Sequence, residues 1–270
     1  MYTLRKDKLD ILADTVRSLG FLAREKQKHV TRSYKEDGSV LTETDLEISD
    51  LIEKKVNELF PECTFISEET PSVVIPDAPY TFILDPIDGT DVYSQGMSTF
   101  AVALGILDKD RNPVGAYISA PRFGVCKEEL FIRLDPEGDL LIDDEVYVKQ
   151  RDKDEPEQVT MGSNGLDNMD FTSYEGKVRV FGSSIIHLIA PIVFSNIDAC
   201  VNQPCYVWDI AAAHAVLKKA GMDIRYCDGR EFVYSDEFLY MKKKFSYDIY
   251  AGSEKCIKRL MQVLPRKKDA

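Results

Sequence analysis

Residues 84–90, with the sequence LDPIDGT, place two carboxylates three positions apart at the end of an apolar run. The preceding residues 80–84 (YTFIL) predict a strand buried on both faces that ends at Asp85. The carboxyl ends of such strands are where α/β proteins place their ligands. Pro86 fixes the backbone, so that Asp88 can turn back towards the same point. Carboxylates arranged in this way suit Mg²⁺, although Asp-Pro and Asp-Gly steps are also ordinary turn formers.

Further residues of the same kind could meet this motif in one cleft. Gly89 permits a tight turn, and Thr90 can open a helical turn whose N–H groups and hydroxyl would bind an anion. Glu68 and its acidic neighbour Glu69 follow a short predicted strand, and Asp209 starts an apolar helical segment, WDIAAA. Each has a simple alternative, since paired acids often lie on a solvated edge and an aspartate often caps a helix.

The elements that must position these acids follow from the spacing of apolar residues. In the first half we predict a helix over residues 7–28, a mobile loop over 33–39 and a second helix that Thr42 caps and Pro61 ends. Strands are predicted at 64–66, 80–84, 100–107, 114–119, 129–133 and 146–149.

In the second half we predict strands at 178–181, 198–202, 224–226 and 249–251, and helices at 183–194, 208–220 and 254–264. Acids and turn formers crowd residues 134–158, which predicts a boundary between an N-terminal part, 1–150, that holds most metal ligands and a C-terminal part, 151–270, that holds Asp209 and substrate-side residues. This order indicates two packed α/β layers, the first mainly antiparallel.

The motifs at 42–45 (TETD), 67–69 (SEE), 85–90 (DPIDGT) and 208–213 (WDIAAA) together resemble the inositol monophosphatase family of metal-dependent, lithium-sensitive phosphatases. The resemblance spans residues 30–221 in the family's order. It implies an α+β fold, the layered αβαβα sandwich shared with fructose bisphosphatases. It also implies hydrolysis of a phosphate monoester on a small metabolite, two or three Mg²⁺ ions per site, and a homodimer.

The resemblance assigns roles residue by residue. Glu68, Asp85 and the carbonyl of Ile87 would bind a first Mg²⁺, and Asp85, Asp88 and Asp209 a second. Thr90, held by Asp45, would orient the attacking water with help from Glu68. The residues expected to contact substrate or its phosphate are Asp88, Gly89, Thr90, Gly182, Ser183, Asn202 and Asp209. The loop at 35–39 resembles a mobile element that closes over the site and helps to recruit a third Mg²⁺.

The identity of the substrate is left open by departures from the family pattern. Inositol phosphatases have a glutamate where this chain has Asn202, and the residues 91–94 (DVYS) also differ. A polyol or sugar phosphate such as inositol phosphate heads the candidates. The alternatives are a 3′(2′),5′-bisphosphate nucleotide, histidinol phosphate and a fructose bisphosphate. Tyr93 and Tyr206 could stack on a base, or they could be rim or core aromatic residues.

Composition limits the other function classes. The net charge of −12 argues against binding of a nucleic acid polymer, and the basic runs at 242–244 and 266–268 are expected to be solvated surface and a frayed tail. The six cysteines form no CxxC pair, which argues against a zinc site and predicts reduced thiols. With no signal peptide and no long apolar run, we expect a cytoplasmic protein that does not enter a membrane.

A different class of function stays open beside the enzyme, namely a catalytically weak relative that binds a phosphorylated ligand or a partner as a regulator. A structural Ca²⁺ site is disfavoured, because the sequence contains no EF-hand loop. The three histidines, His29, His187 and His214, are isolated in sequence, and the last two are expected in the core.

Overall fold

The computed structural model describes residues 3–124, 128–149, 151 and 154–267 of the 270-residue chain. Within them the helices are α1 (Lys6–Lys26), α2 (Glu43–Leu59), α3 (Thr90–Ser94), α4 (Gly165–Asn168), α5 (Ser184–Val193), α6 (Ala211–Lys219), α7 (Asp236–Leu239) and α8 (Glu254–Val263). A 3₁₀ turn, Gln27–His29, extends α1.

A seven-stranded sheet occupies the first half of the chain. Its strands, in spatial order, are β3 (Thr64–Ser67), β4 (Tyr80–Asp88), β5 (Ala101–Asp108), β6 (Pro113–Ser119), β7 (Phe131–Leu134), β8 (Leu140–Ile142) and β9 (Glu145–Val146). Only the β3–β4 pair is parallel, so the predicted mainly antiparallel character is confirmed. Side chains alternate between faces, with Phe82 and Leu84 packed on the α1–α2 side and Ile83 on the other.

A five-stranded sheet occupies the second half. Its spatial order is β11 (Lys177–Arg179), β10 (Gln158–Met161), β12 (Ala199–Asn202), β14 (Ile249–Gly252) and β13 (Asp223–Tyr226). Helices α5 and α6 lie between the two sheets in one apolar core, and α8 covers the outer face of the second sheet. With α1 and α2 outside the first sheet, the order of layers is αβαβα, and the predicted fold class is confirmed.

The close approach of α6 to the first sheet depends on a glycine. A Cβ atom at Gly105 of β5 would lie 2.7 Å from the backbone nitrogen of Ala212 and 2.8 Å from the carbonyl carbon of Ala211. Since only a residue without a side chain fits there, Gly105 sets the distance between β5 and the start of α6. That distance matters because α6 directly follows Asp209.

Several predicted elements differ from the structure. The expected loop at 33–39 is the turn of a hairpin in which β1 (Ser33–Tyr34) pairs with β2 (Val40–Leu41). Strand β4 does not end at Asp85 but continues to Asp88, and α6 starts at Ala211 instead of residue 208. Strands β8 and β10 and helices α4 and α7 were not predicted, because each is too short to show a clear periodicity. The proposed division at residue 150 stays a prediction.

Two further findings concern predictions from composition. No helix within the described residues is long and apolar enough to cross a membrane. The basic run at 242–244 is not uniformly solvated, since Lys242 is half-buried while Lys243 and Lys244 are exposed. Cys63 and Cys200 are buried, as expected for small apolar side chains, whereas Cys126 and Lys268 lie outside the described residues.

Candidate active site

A β-bulge brings the two aspartates of the DPID motif to one side of the sheet. Asp85 pairs with Ala103 of β5 and Asp88 pairs with Ala101, so three steps along β4 match two along β5. In a regular strand, side chains three positions apart point to opposite faces. The extra residue of the bulge reverses this alternation, and both carboxylates reach the same point. The bulge is the physical reason why the spacing of the motif works in a strand.

Asp209 completes a group of three carboxylates. Asp85, Asp88 and Asp209 each offer an oxygen atom, and these atoms all lie within 4.8 Å of one another. Asp209 is not the N-cap of α6, because Ile210 holds that position and the Oδ2 atom of Asp209 accepts a hydrogen bond of 2.6 Å from the N–H group of Tyr206. The alternative role of Asp209 as a helix cap is therefore wrong, and its carboxylate faces the other two.

The electrostatics of this group favour a cation. Burial raises the pKa of Asp85 well above its ordinary value, and the charges of Glu68, Asp88 and Asp209 raise it further. Burial likewise raises the pKa of Asp209, with Asp88 as the next contributor. The buried Oδ1 atom of Asp85 has no hydrogen-bond partner among the described residues. Several negatively charged carboxylates therefore surround an oxygen atom that lacks a hydrogen-bond partner. Carboxylate oxygens are hard donors, so this arrangement fits a bound Mg²⁺.

Asp88 is held by the start of α5. Its carboxylate accepts hydrogen bonds from the Ser183 hydroxyl, from the Ser184 N–H group at 3.2 Å and from the Ile185 N–H group at 2.7 Å. These donors partly offset the burial that raises the pKa of Asp88 to about 6. Ser183 also caps α5 by accepting from the Ile186 N–H group. Ser183 thus contacts a carboxylate in this structure, and its contact with substrate stays a prediction.

Glu68 lies next to the three-carboxylate group but is not one of its members. Its charge is the largest of the neighbouring charges that raise the pKa of Asp85. The Nζ atom of Lys35 lies 2.6 Å from Glu68 Oε1 and 2.6 Å from Glu69 Oε1. Lys35 comes from the turn between β1 and β2, so this hairpin is tied to the acidic end of β3. Glu69 is therefore paired, and the alternative that both acids form a solvated edge is wrong.

Thr90, the first residue of α3, lies beside Asp45 of α2, as predicted. The Thr90 hydroxyl is 3.0 Å from Asp45 Oδ1 and 2.9 Å from the carbonyl oxygen of Ile87. Gly89, at a φ of 87°, is the N-cap of α3, and a Cβ atom there would lie 2.9 Å from Ser183 Cβ. The glycine thus allows the turn and lets the chain pass beside α5.

The carboxylates open into a cleft of about 640 Å³. Its lining contains predicted residues, among them Glu68, Asp88, Gly89, Thr90, Gly182, Ser183, Asn202 and Asp209. It also contains residues that the sequence did not single out, including Arg32, Tyr34, Ser163, Asn164, Gln203 and Cys205. No motif marks the latter group, because they come from separate elements that only the fold brings together.

Asn202 ends β12 and is almost fully buried at the side of this cleft. Its amide nitrogen lies 3.3 Å from Cys205 Sγ and 3.4 Å from Ser184 Oγ. The distance to the Ser184 oxygen is long for a hydrogen bond, whereas 3.3 Å is ordinary for the larger sulfur atom. The position predicted for substrate hydroxyls is therefore occupied by a group that can both donate and accept.

Burial decides the alternatives for Tyr93 and for two of the histidines. Tyr93 is fully buried and its hydroxyl donates to the Ala23 carbonyl at 2.8 Å, so it is a core residue and cannot stack on a base. Tyr206 stacks on Trp208, with ring centroids 4.5 Å apart. His187 and His214 are buried, which confirms their expected place in the core.

A family model described as "Inositol monophosphatase family" matches residues 9–258. Inositol monophosphatase 2 of Rattus norvegicus is 28% identical over 218 residues, which cover 72% of this chain and 70% of the rat protein. The fructose-1,6-bisphosphatase/inositol-1-monophosphatase of Thermotoga maritima is 24% identical over 245 residues, covering 87% of this chain and 91% of that protein.

Solved structures agree with the fold. An IMPase/NADP phosphatase complexed with Mg²⁺ and phosphate superposes with a TM-score of 0.77 at 14% identity, and the match covers 97% of each chain. At that identity the similarity establishes the fold alone. The family model rests on sequence and spans the described motifs from Asp45 to Asp209.

Proposed function

The chain belongs to the inositol monophosphatase family and is a phosphatase, and we propose that it hydrolyses a phosphate monoester of a small polyol or sugar with Mg²⁺. One observation carries this proposal: three carboxylates converge at the base of a polar cleft, and a buried oxygen of Asp85 lacks a protein partner among the described residues. A neutral or metal-free site would not gather buried like charges without counter-ions.

Glu68, Asp85, Asp88, Asp209 and the carbonyl of Ile87 are the proposed ligands of two Mg²⁺ ions, and the turn at 35–39 is proposed to help recruit a third. When bound, Mg²⁺ would activate and orient a water molecule and neutralise charge that develops on the leaving oxygen. In the net reaction the water oxygen bonds to phosphorus, the P–O bond to the alcohol breaks, and the alcohol oxygen takes up a proton. No serine, cysteine or histidine nucleophile is required.

The chain's own residues would orient both reactants. Thr90 donates its hydroxyl proton towards Asp45, so its oxygen lone pairs are available to accept a hydrogen bond from the attacking water. Gly89 and Thr90 begin α3, and their N–H groups are the proposed contacts for phosphate oxygens. Because α3 has only five residues, we attribute this binding to the local N–H groups of the turn rather than to a helix dipole.

The lining of the cleft supports a hydroxyl-rich leaving group. Ser163, Asn164, Ser184 and Asn202 offer neutral donors and acceptors around the acids, which suits alcohol groups. The aromatic rings in this lining are those of the buried His187 and the exposed Tyr34. The neutral polar groups are the reason to place a polyol or sugar phosphate ahead of a 3′(2′),5′-bisphosphate nucleotide, and histidinol phosphate and fructose bisphosphate complete the panel to be tested.

The test is phosphate release from a panel of myo-inositol 1-phosphate, fructose 1,6-bisphosphate, adenosine 3′,5′-bisphosphate and histidinol phosphate. Each is assayed with Mg²⁺, with Mg²⁺ plus Li⁺, and with chelator. We expect Mg²⁺-dependent release, strongest for the polyol or sugar ester, and inhibition by Li⁺. Release that persists in chelator would contradict the metal mechanism. No release from any compound, with Mg²⁺ bound, would favour a phospholigand-binding regulator. The homodimer and the cytoplasmic location remain predictions.

A further inference from the structure

Lys242 is the half-buried member of the basic run at 242–244. It follows α7 on the segment that leads to β14, and its φ of 47° is a backbone conformation that a residue with a Cβ atom rarely adopts. Its neighbours behave differently, since Lys243 pairs with the exposed Glu237 and Lys244 is exposed. The backbone at Lys242 is thus turned so that one side chain of the run points inward.

The ammonium group of Lys242 binds the turn that presents Glu68. Its Nζ atom lies 2.6 Å from the carbonyl oxygen of Ser67 and 2.8 Å from that of Thr70, with the carbonyl oxygen of Glu68 at 3.4 Å. A lysine ammonium has three donors, and here they face carbonyls of one short turn. The contact joins parts of the chain more than 170 residues apart.

The same ammonium group also reaches the segment that carries Asp209. Its Nζ atom lies 5.4 Å from the ring centroid of Trp208, a distance at which a cation and an aromatic face attract. Trp208 directly precedes Asp209. Lys242 therefore contacts the backbone on both sides of one proposed metal ligand and the residue next to another.

We propose that Lys242 is a positioning residue of the metal site, which holds the turn bearing Glu68 in register with Asp209. The proposal rests on the metal-dependent function proposed above. Lys242 contacts neither substrate nor metal in this role, because its donors are used by backbone carbonyls. Supporting groups behind metal ligands commonly change metal affinity by about 10–100-fold when removed.

The sign of the effect separates positioning from simple electrostatics. A cation near a group of carboxylates repels a divalent metal ion, so the loss of its charge alone would tighten metal binding. The loss of a positioning contact would weaken metal binding, because Glu68 would no longer be held at its place. A purely structural tether would leave metal affinity unchanged and would lower only the melting temperature.

The experiment measures binding of Mn²⁺ alone, as free Mn²⁺ by electron paramagnetic resonance, without substrate. The variant Lys242→Met keeps the length of the aliphatic stem and removes the donors, and Lys243→Met is the matched control from the same run. We expect the Kd for Mn²⁺ to rise about tenfold or more in Lys242→Met and to stay within about twofold of wild type in the control. Melting in chelator is recorded for both.

An unchanged or lower Kd in folded Lys242→Met would overturn the proposal, whatever happens to activity or melting temperature. If Lys242→Met does not fold, Lys242→Gln, whose amide keeps two N–H donors on a shorter stem without the charge, is judged by the same criterion. A wild-type protein that binds no Mn²⁺ would overturn the proposed function itself. The two failures are therefore distinguishable in one titration.

Discussion

The hydroxyl oxygen of Thr90 lies 3.0 Å from Oδ1 of Asp45, a carboxylate that is fully buried. The other oxygen of Asp45 accepts from the Thr42 N–H group at 3.0 Å and from the Thr42 hydroxyl, which closes a capping box at the start of α2. The buried carboxylate of Asp45 thus caps the start of α2 and also fixes the Thr90 hydroxyl at the start of α3. This relationship places Thr90 on a rigid support, as a group that orients water requires.

Replacement of Thr90 by valine should abolish most turnover. Valine keeps the shape but removes the hydroxyl, and loss of a group that assists proton transfer costs about 10²–10⁴-fold in kcat. Thr90→Ser keeps the hydroxyl and should stay within about tenfold of wild type. Steady-state phosphate release under saturating Mg²⁺ gives kcat for both. Similar rates for serine and valine would exclude the assigned role of Thr90.

Asp85→Asn should remove activity and yet stabilise the metal-free protein. The raised pKa of Asp85 means that its ionised form is unfavourable in the folded state, and asparagine removes that charge with nearly the same shape. We expect a gain of roughly 1 kcal/mol in chelator near neutral pH, or about 2–4 °C in Tm. Because acid protonates the wild-type carboxylate, this difference should shrink as the pH falls.

The control for that experiment is Asp110→Asn, since Asp110 is exposed and far from the carboxylates in sequence. Differential scanning calorimetry with and without Mg²⁺ supplies both readouts. Mg²⁺ should raise the Tm of wild type and of the control but not that of Asp85→Asn. A destabilised Asp85→Asn variant in chelator would show that the ionised carboxylate is favourable in the folded protein without metal.

Asn202→Ala should weaken substrate binding more than it slows chemistry. The amide lies at the side of the cleft, and its nitrogen contacts Ser184 Oγ and the Gln203 carbonyl oxygen only at long range, so exchange of these contacts for a substrate hydroxyl costs little. The loss of one such bond corresponds to about 1 kcal/mol, or about a fivefold rise in KM, with kcat within about twofold. The exposed Asn196→Ala is the matched control. A fall in kcat at constant KM would place Asn202 at the reacting centre instead.

His187 should make the fold sensitive to acid. Burial lowers its pKa to about 4 from an ordinary value of 6.5, and its Nε2 atom accepts a hydrogen bond of 2.7 Å from the Phe181 N–H group. A depressed histidine pKa means that the unfolded chain binds the proton first, so its contribution is complete above pH 6.5 and is lost as the pH falls towards 4. The contribution is at most roughly 3 kcal/mol.

The measurement is the urea midpoint of wild type and His187→Gln at pH 7.5 and pH 5. Glutamine can still accept from the Phe181 N–H group but does not titrate, so between pH 7.5 and pH 5 the variant should lose less stability, or gain more, than wild type. His29→Gln, at an exposed position, is the control. The comparison uses the difference between variant and wild type because the buried carboxylates titrate in the opposite direction. Equal pH dependence in the two proteins would show that His187 is not the group responsible.

The local motifs could be read from the sequence because their physics is local. Thr42 is followed three residues later by Asp45, which by itself predicts a capped helix, and the structure contains that capping box. The DPIDGT segment likewise fixes a short turn, since Gly89 adopts a positive φ that few other residues tolerate. The amphipathic spacing of α1 and α2 predicted both helices, because burial of one face requires it.

Which residues meet in space was decided by the tertiary structure. The bulge between Asp85 and Asp88 depends on pairing with β5, and the pairing of Lys35 with Glu68 and Glu69 depends on a hairpin that the sequence did not predict. Lys242, 174 residues from Glu68 in the chain, belongs to a basic run that the sequence predicted to be solvated surface. The sequence determined the proposed ligands and the local turns, because these need only neighbouring residues. The contacts that hold these residues in place depend on the packed sheets, because long-range contacts leave no pattern in a single sequence.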